Sequence, residues 1–209
     1  MTHTLHRRGD SDALANDWVV LAMAARGLVD EGAARRLRQF VTLAQAHHPV
    51  NLGDMLQGSQ VTLEVSALLA GIGDRSIVHA VFASIDQVAS FLAEVRAADL
   101  GLSVVVSGLV EEIRCACRTA GLPDRFRTIQ LSAGVWGDTA LLVSEGLLEV
   151  TTMCGHGLVS AALVESVVGE IRSGKVSEEE GASRLAAPCV CGVFNPKRAA
   201  ALLAALAHQ

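Results

Sequence analysis

Between residues 77 and 131 the chain alternates short β-branched runs with helical stretches, and this order constrains the fold more than any other feature. Ile77-Val78-His79-Ala80-Val81-Phe82 reads as a buried strand. Residues 86–98 read as a helix with Val88, Phe91, Leu92 and Val95 on one face. Leu102-Ser103-Val104-Val105-Val106 is the next strand, and a helix to about residue 120 is stopped by Gly121 and Pro123. Thr128-Ile129-Gln130-Leu131 completes the series. Strand, helix, strand, helix, strand implies an α/β fold with a small parallel sheet and crossover helices.

The flanking regions read as helical. Residues 1–10 form a polar tail holding His3 and His6, expected to be flexible. Residues 11–60 suggest a helical pair. The first helix starts at Ser11 or Asp12 and runs through Trp18, Val19, Leu21, Ala22 and Met23 to Gly27; the second spans 31–47 with Leu37, Phe40, Val41 and Ala44 at helical spacing. His47 and His48 precede Pro49, either ending that helix or serving a ligand. Residues 61–150 hold the α/β core, and residues 151–209 a helical, cysteine-bearing region, all expected to form one compact unit. Helices are expected there over 156–172, from Ser177 to 187 and from the Asn195-Pro196 cap onward.

Several function classes lack support. The formal charge is −5, and five Phe, two Trp and no Tyr leave few stacking surfaces, so no nucleic-acid partner is expected. No apolar run is long enough for a membrane span, and no apolar segment with a small-residue cleavage site follows the polar residues 1–10, so a cytoplasmic protein is expected. Dinucleotide (GxGxxG), phosphate-loop (GxxxxGK[ST]) and nucleophile-elbow (GxSxG) motifs are missing. Ser107-Gly108 and Ser132-Ala133-Gly134, at expected strand ends, would let a ligand approach the backbone, although such residues also make ordinary turns. Five cysteines in a reducing compartment should be thiols, metal ligands or catalytic groups.

The cysteines fall into two groups. Cys115 and Cys117 lie within a helix, about 200° apart around its axis, and cannot easily grip one ion. Cys154, Cys189 and Cys191 lie in non-helical segments before helix starts, in Met153-Cys154-Gly155-His156-Gly157 and Pro188-Cys189-Val190-Cys191-Gly192. In extended chain Cys189 and Cys191 would present both sulfurs to one side. Three such thiolates suit a [4Fe-4S] cluster with one iron left open as a Lewis acid, giving an iron–sulfur lyase, hydratase or desulfidase. A structural zinc site of Cys154, Cys189, Cys191 and His156 is the alternative, and a metal-free cysteine isomerase the other. His156 is a candidate ligand or proton donor. Lys197 and Arg198 stand where cations oppose the dipole of their own helix, so Arg198 is expected to meet an anion, either the cluster or a small anionic molecule, or else an acidic neighbour in a plain surface salt bridge.

Met153-Cys154-Gly155-His156-Gly157 resembles the cysteine motif of proline-racemase-type isomerases, in which a thiol moves an α-proton. That family carries a second cysteine in an Asp-Arg-Ser-Pro-Cys-Gly-Thr-Gly motif. Here Gly73-Asp74-Arg75-Ser76-Ile77 keeps the opening without the cysteine, and the chain is too short for the family's paired halves. The family is therefore not adopted. His79 reads as a packed core residue and Trp136 as a pocket wall or a core-edge cover. The sequence leaves the oligomeric state open.

Overall fold

The computed structural model describes residues 3–25, 27 and 31–208. A 3-10 turn (His3–His6) and helix α1 (Ser11–Leu14) lead into strand β1 (Trp18–Ala24). Then follow α2 (Ala33–Ala46), β2 (Asn51–Asp54), β3 (Gly58–Ser59), α3 (Val65–Gly71), β4 (Ile77–Phe82), α4 (Ile85–Ala98), β5 (Leu102–Ser107) and α5 (Val110–Thr119). The C-terminal third contains a 3-10 turn (Thr139–Leu141) and helices α6 (Glu145–Thr151), α7 (Ala161–Arg172), α8 (Glu178–Ala186) and α9 (Pro196–Ala207).

The strands form one sheet in the order β3-β2-β4-β1-β5, and each neighbouring pair is antiparallel. The expected parallel sheet is overturned. β4 and β5 do run in the same direction and are joined through α4. However, β1 lies between them and opposes both, setting Leu21 opposite His79 on one side and Val105 on the other. β1 and β2, joined through α2, straddle β4 in the same way. The two crossovers interleave, which is the connectivity of split β-α-β sheets.

Two of the misread segments show how the difference arises. Residues 18–24, expected to be helical, form the central strand. Trp18, Val20 and Ala22 enter one core while Val19 and Leu21 enter the other, so burial on both faces hides the period-2 signal. Residues 128–131, expected to be a third strand, lie in exposed irregular chain.

The first face of the sheet packs on α2 and α4, where Leu37, Phe40, Val88 and Phe91 meet Val20, Ala80 and Phe82. The second face carries α6 to α9. Helix starts follow their capping signals: Ser177 Oγ accepts the Glu180 N–H, and Asn195 Oδ1 accepts the Arg198 N–H just behind Pro196. α7 begins at Ala161 behind the Ser160 cap. Residues 156–160, expected to be its first turn, therefore belong to the connection after α6.

Candidate functional site

β4 alternates its side chains, so Ile77, His79 and Val81 point to the second face. Two turns pack there with Val19, Leu21 and Val81. The first follows α6. The Cys154 N–H donates to the Thr151 carbonyl at 3.2 Å, and the Cys154 carbonyl accepts from the Gly157 N–H at 3.1 Å. The second follows α8. The Cys189 carbonyl accepts the Gly192 N–H at 2.8 Å. Residues 189–192 therefore form a tight turn, where extended chain was expected. Gly192 closes it at φ 71, and a Cβ there would stand 2.6 Å from the Ser59 Cβ. Glycine meets both demands.

The turns bring Cys154, Cys189 and Cys191 together, all buried on the second face. The Cys189 and Cys191 sulfurs are 3.7 Å apart. Cys189 also hydrogen-bonds to Cys154, whose sulfur further receives the backbone N–H groups of Leu158 and His156. The Cys189 hydrogen bond, aided by the two backbone donors, outweighs burial and draws the Cys154 thiol down to about 5. These contacts favour the thiolate form of Cys154. Cys189 is pushed strongly upward because it serves the Cys154 thiolate, contacts Cys191 and is buried. The arrangement therefore favours an anionic Cys154 sulfur served by an S–H donor.

The loop from Cys191 to Phe194 is held by side chains. His79 Nε2 meets the Cys191 carbonyl at 2.7 Å. Asn51 Nδ2 donates to the Gly192 carbonyl at 2.7 Å and to that of Phe194 at 2.9 Å. Arg7 donates to the Val193 carbonyl between them. Burial depresses the His79 imidazole to about 4, against the opposing hydrogen bond to Cys191, so the ring is neutral and presents an Nε2–H to that carbonyl.

The other sequence candidates take different places. The His156 side chain is exposed, while its backbone N–H serves Cys154. Arg198 is buried and finds its anion within the chain: Nη1 donates to Asp17 Oδ2 at 2.9 Å, and Nη2 lies 3.5 Å from Glu149 Oε2. Arg7 shares the same Asp17 carboxylate. The Arg8 N–H donates to Thr152 Oγ1 at 3.0 Å, so residues 7 and 8, read as tail, touch both cysteine-bearing connections. Cys115 is exposed and Cys117 buried in the first-face core, where burial raises its thiol. His47 caps α2, 3.2 Å from Glu94. Trp136 is 82 % exposed.

Asn51, Arg7 and Asp17 were not singled out from the sequence. A signal existed for the strand pair: Gly53 stands opposite His79, and a Cβ on Gly53 would lie 2.5 Å from His79 Nε2. A glycine facing a lone polar residue in an apolar strand marks a packed imidazole.

Among the described residues, no group of three or more His, Cys, Asp or Glu side chains stands ready to hold a metal ion. No helix among them is long and apolar enough to cross a membrane. Comparison with family models, curated proteins and solved structures finds no match.

Proposed function

We propose that Cys154, Cys189 and Cys191 are thiolate ligands of a metal centre, in the first reading a [4Fe-4S] cluster. The observation that supports this is the convergence of three buried sulfurs from two connections onto one place, where hydrogen bonds to Cys154 favour its thiolate form. Thiolates are soft ligands for iron–sulfur clusters and zinc. The N–H groups of Leu158 and His156 would stabilise sulfur charge in either case. A cubane held by three protein thiolates keeps one iron open, which supplies Lewis-acid chemistry of the lyase or hydratase type. Arg198 already answers Asp17 and Glu149, so a small anionic ligand is assigned to the open iron rather than to that guanidinium. Such a site needs a reducing compartment, which agrees with a cytoplasmic location.

A single zinc ion is the second reading. Two sulfurs on one tetrahedral zinc, each about 2.3 Å from it, lie about 3.8 Å apart, and Cys189 and Cys191 are 3.7 Å apart.

Anaerobic purification followed by iron, zinc and acid-labile sulfide assays tests both readings. Iron with matching sulfide is expected, lost in Cys154→Ser, Cys189→Ser and Cys191→Ser and retained in Cys115→Ser. Stoichiometric zinc without sulfide selects the second reading. Absence of both metals overturns the metal centre and leaves Cys154 as a metal-free nucleophile.

A further inference from the structure

Four successive carbonyls, Cys191 to Phe194, are each capped by a side chain from elsewhere in the chain. This stretch belongs to no helix or strand, so its carbonyls have no ladder partners. Buried carbonyls need donors, and here the donors come from β4, β2 and the N-terminal segment. From this arrangement we infer that His79, Asn51 and Arg7 are positioning residues that fix the Cys189–Cys191 turn against Cys154. The meaning of the fixed geometry for ligand binding rests on the reading of the three cysteines as metal ligands.

His79 is the central member. It sits in the middle of the sheet, on a strand paired on both sides. Its ring lies between two glycines: a Cβ on Gly53 would stand 2.5 Å from Nε2, and one on Gly192 would stand 3.1 Å away. The slot leaves the imidazole little freedom, so Nε2 stays on the carbonyl of Cys191 itself. A leucine would fill a similar volume and donate nothing. Asn51, on β2 across from Val81, uses one amide group for two carbonyls, which fixes the chain on either side of Val193. Arg7 takes Val193 and ties the loop to Asp17. The Cys154 connection is held from the same N-terminal segment through Arg8 and Thr152. Both sides of the sulfur cluster are thus referenced to one frame.

The test uses reduced, metal-free, full-length protein as wild type, His79→Gln, His79→Leu and Arg7→Met. Thermal unfolding first establishes that each is folded. In glutathione buffer, the Cys154 thiolate and the Cys189 thiol lose two electrons and one proton to form a disulfide, while one oxidised glutathione takes up those electrons, that proton and one more from water to become two reduced molecules. Alkylation and mass spectrometry read the position of this equilibrium. Loosening the turn lowers the effective concentration of one sulfur at the other. His79→Leu should shift the equilibrium at least tenfold toward the dithiol, about 30 mV for a two-electron couple. His79→Gln, which keeps an N–H donor, should recover most of that shift. Cobalt(II) titration should show the same order in thiolate-to-cobalt absorption, with at least tenfold weaker uptake in His79→Leu. Arg7→Met should move both readouts in the same direction by less, and it decides the question if His79→Leu is unfolded. A folded His79→Leu within twofold of wild type overturns the inference, and so does equal loss in His79→Gln and His79→Leu. A wild type that takes up no iron, zinc or cobalt, while the redox shift persists, refutes the metal reading and leaves the positioning role standing.

Discussion

Asp17→Asn should be among the most damaging conservative changes in the chain. Asp17 has no exposed side-chain surface and is shared by two guanidinium groups, Arg7 on Oδ1 and Arg198 on Oδ2. Asn195 Nδ2 also donates to Oδ1 at 3.0 Å. Both arginine side chains are almost fully buried, 6 % and 3 % exposed. Removing the carboxylate charge leaves Arg7 without its anion and Arg198 with only Glu149, 3.5 Å away and partly solvated. Breaking a buried ion pair from one side costs about 3–5 kcal/mol, because the surviving charge stays desolvated. The amide keeps the shape and one acceptor, so a loss of about 3–4 kcal/mol is expected. At about 2–4 °C per kcal/mol for a chain of this size, Tm should fall by roughly 6–16 °C. Urea melts with an unchanged m-value measure the loss. In a double-mutant cycle, Arg198→Met should cost less in the Asp17→Asn background than in wild type, with coupling above about 1 kcal/mol. A loss below about 1 kcal/mol, or an additive cycle, would refute the claim that this carboxylate carries two buried cations.

Three further outcomes follow from the geometry. The unfolded chain protonates His79 near 6.5 and the folded chain only near 4, so folding stability should decline as pH falls through that window. The decline attributable to this residue is roughly 3 kcal/mol, and wild type and His79→Gln should differ in stability slope between pH 6.5 and 4; parallel profiles would contradict the assignment. Gly192→Ala must adopt φ 71 beside the Ser59 Cβ and should lose more than about 2 kcal/mol in urea melts, whereas Gly174→Ala, at φ 69 with open space around it, should lose only about 1 kcal/mol; equal losses would show that the contact with Ser59 is unimportant. Limited proteolysis should cut first within residues 127–145, which are exposed throughout and include Trp136 and Leu141; protection there, with cuts elsewhere, would mean that something covers the segment in solution.

How far the fold could be read depended on which faces of each element meet water. α2 and α4 show a polar side and an apolar side, and their sequence limits, 31–47 and 86–98, fall within two residues of the observed Ala33–Ala46 and Ile85–Ala98. β1, enclosed like β4 by both cores, shows no polar side. Seven successive residues from Trp18 to Ala24 therefore carry no alternation, and a helix fits them equally well. β2 is four residues long and includes Gly53, whose missing side chain makes room for His79 rather than contributing strand propensity. With β1 and β2 lost from the reading, β4 and β5 become neighbours joined by a helix, and a parallel pair is the natural inference. The direction of the two strands was right; the strand between them was missing. Residues 128–131 fail for the opposite reason. Ile129 and Leu131 stay largely exposed despite their apolar composition, and propensity without burial does not make a strand.

The cysteine cluster was legible in a different way. Cys154-Gly155-His156-Gly157 and Cys189-Val190-Cys191-Gly192 are local patterns that place thiols in turns, and turns at one end of a helical layer can meet without any knowledge of the sheet. What the local patterns do not encode is the holding structure. The donors to residues 191–194 come from positions 7, 51 and 79, more than 110 residues away along the chain. Each is a polar residue in a segment whose neighbours are read for other reasons: a tail, the stretch after the second helix and a buried strand. Arg198 shows the same limit. A cation in the first turn of α9 opposes the dipole, which correctly demands an anion nearby, but the anion is Asp17, at the other end of the sequence. The sheet brings these residues together. Because β4 and β1 are each paired on both sides, His79 and the chain leading into Trp18 are anchored by the sheet, and the two cysteine-bearing connections are tied to that backing.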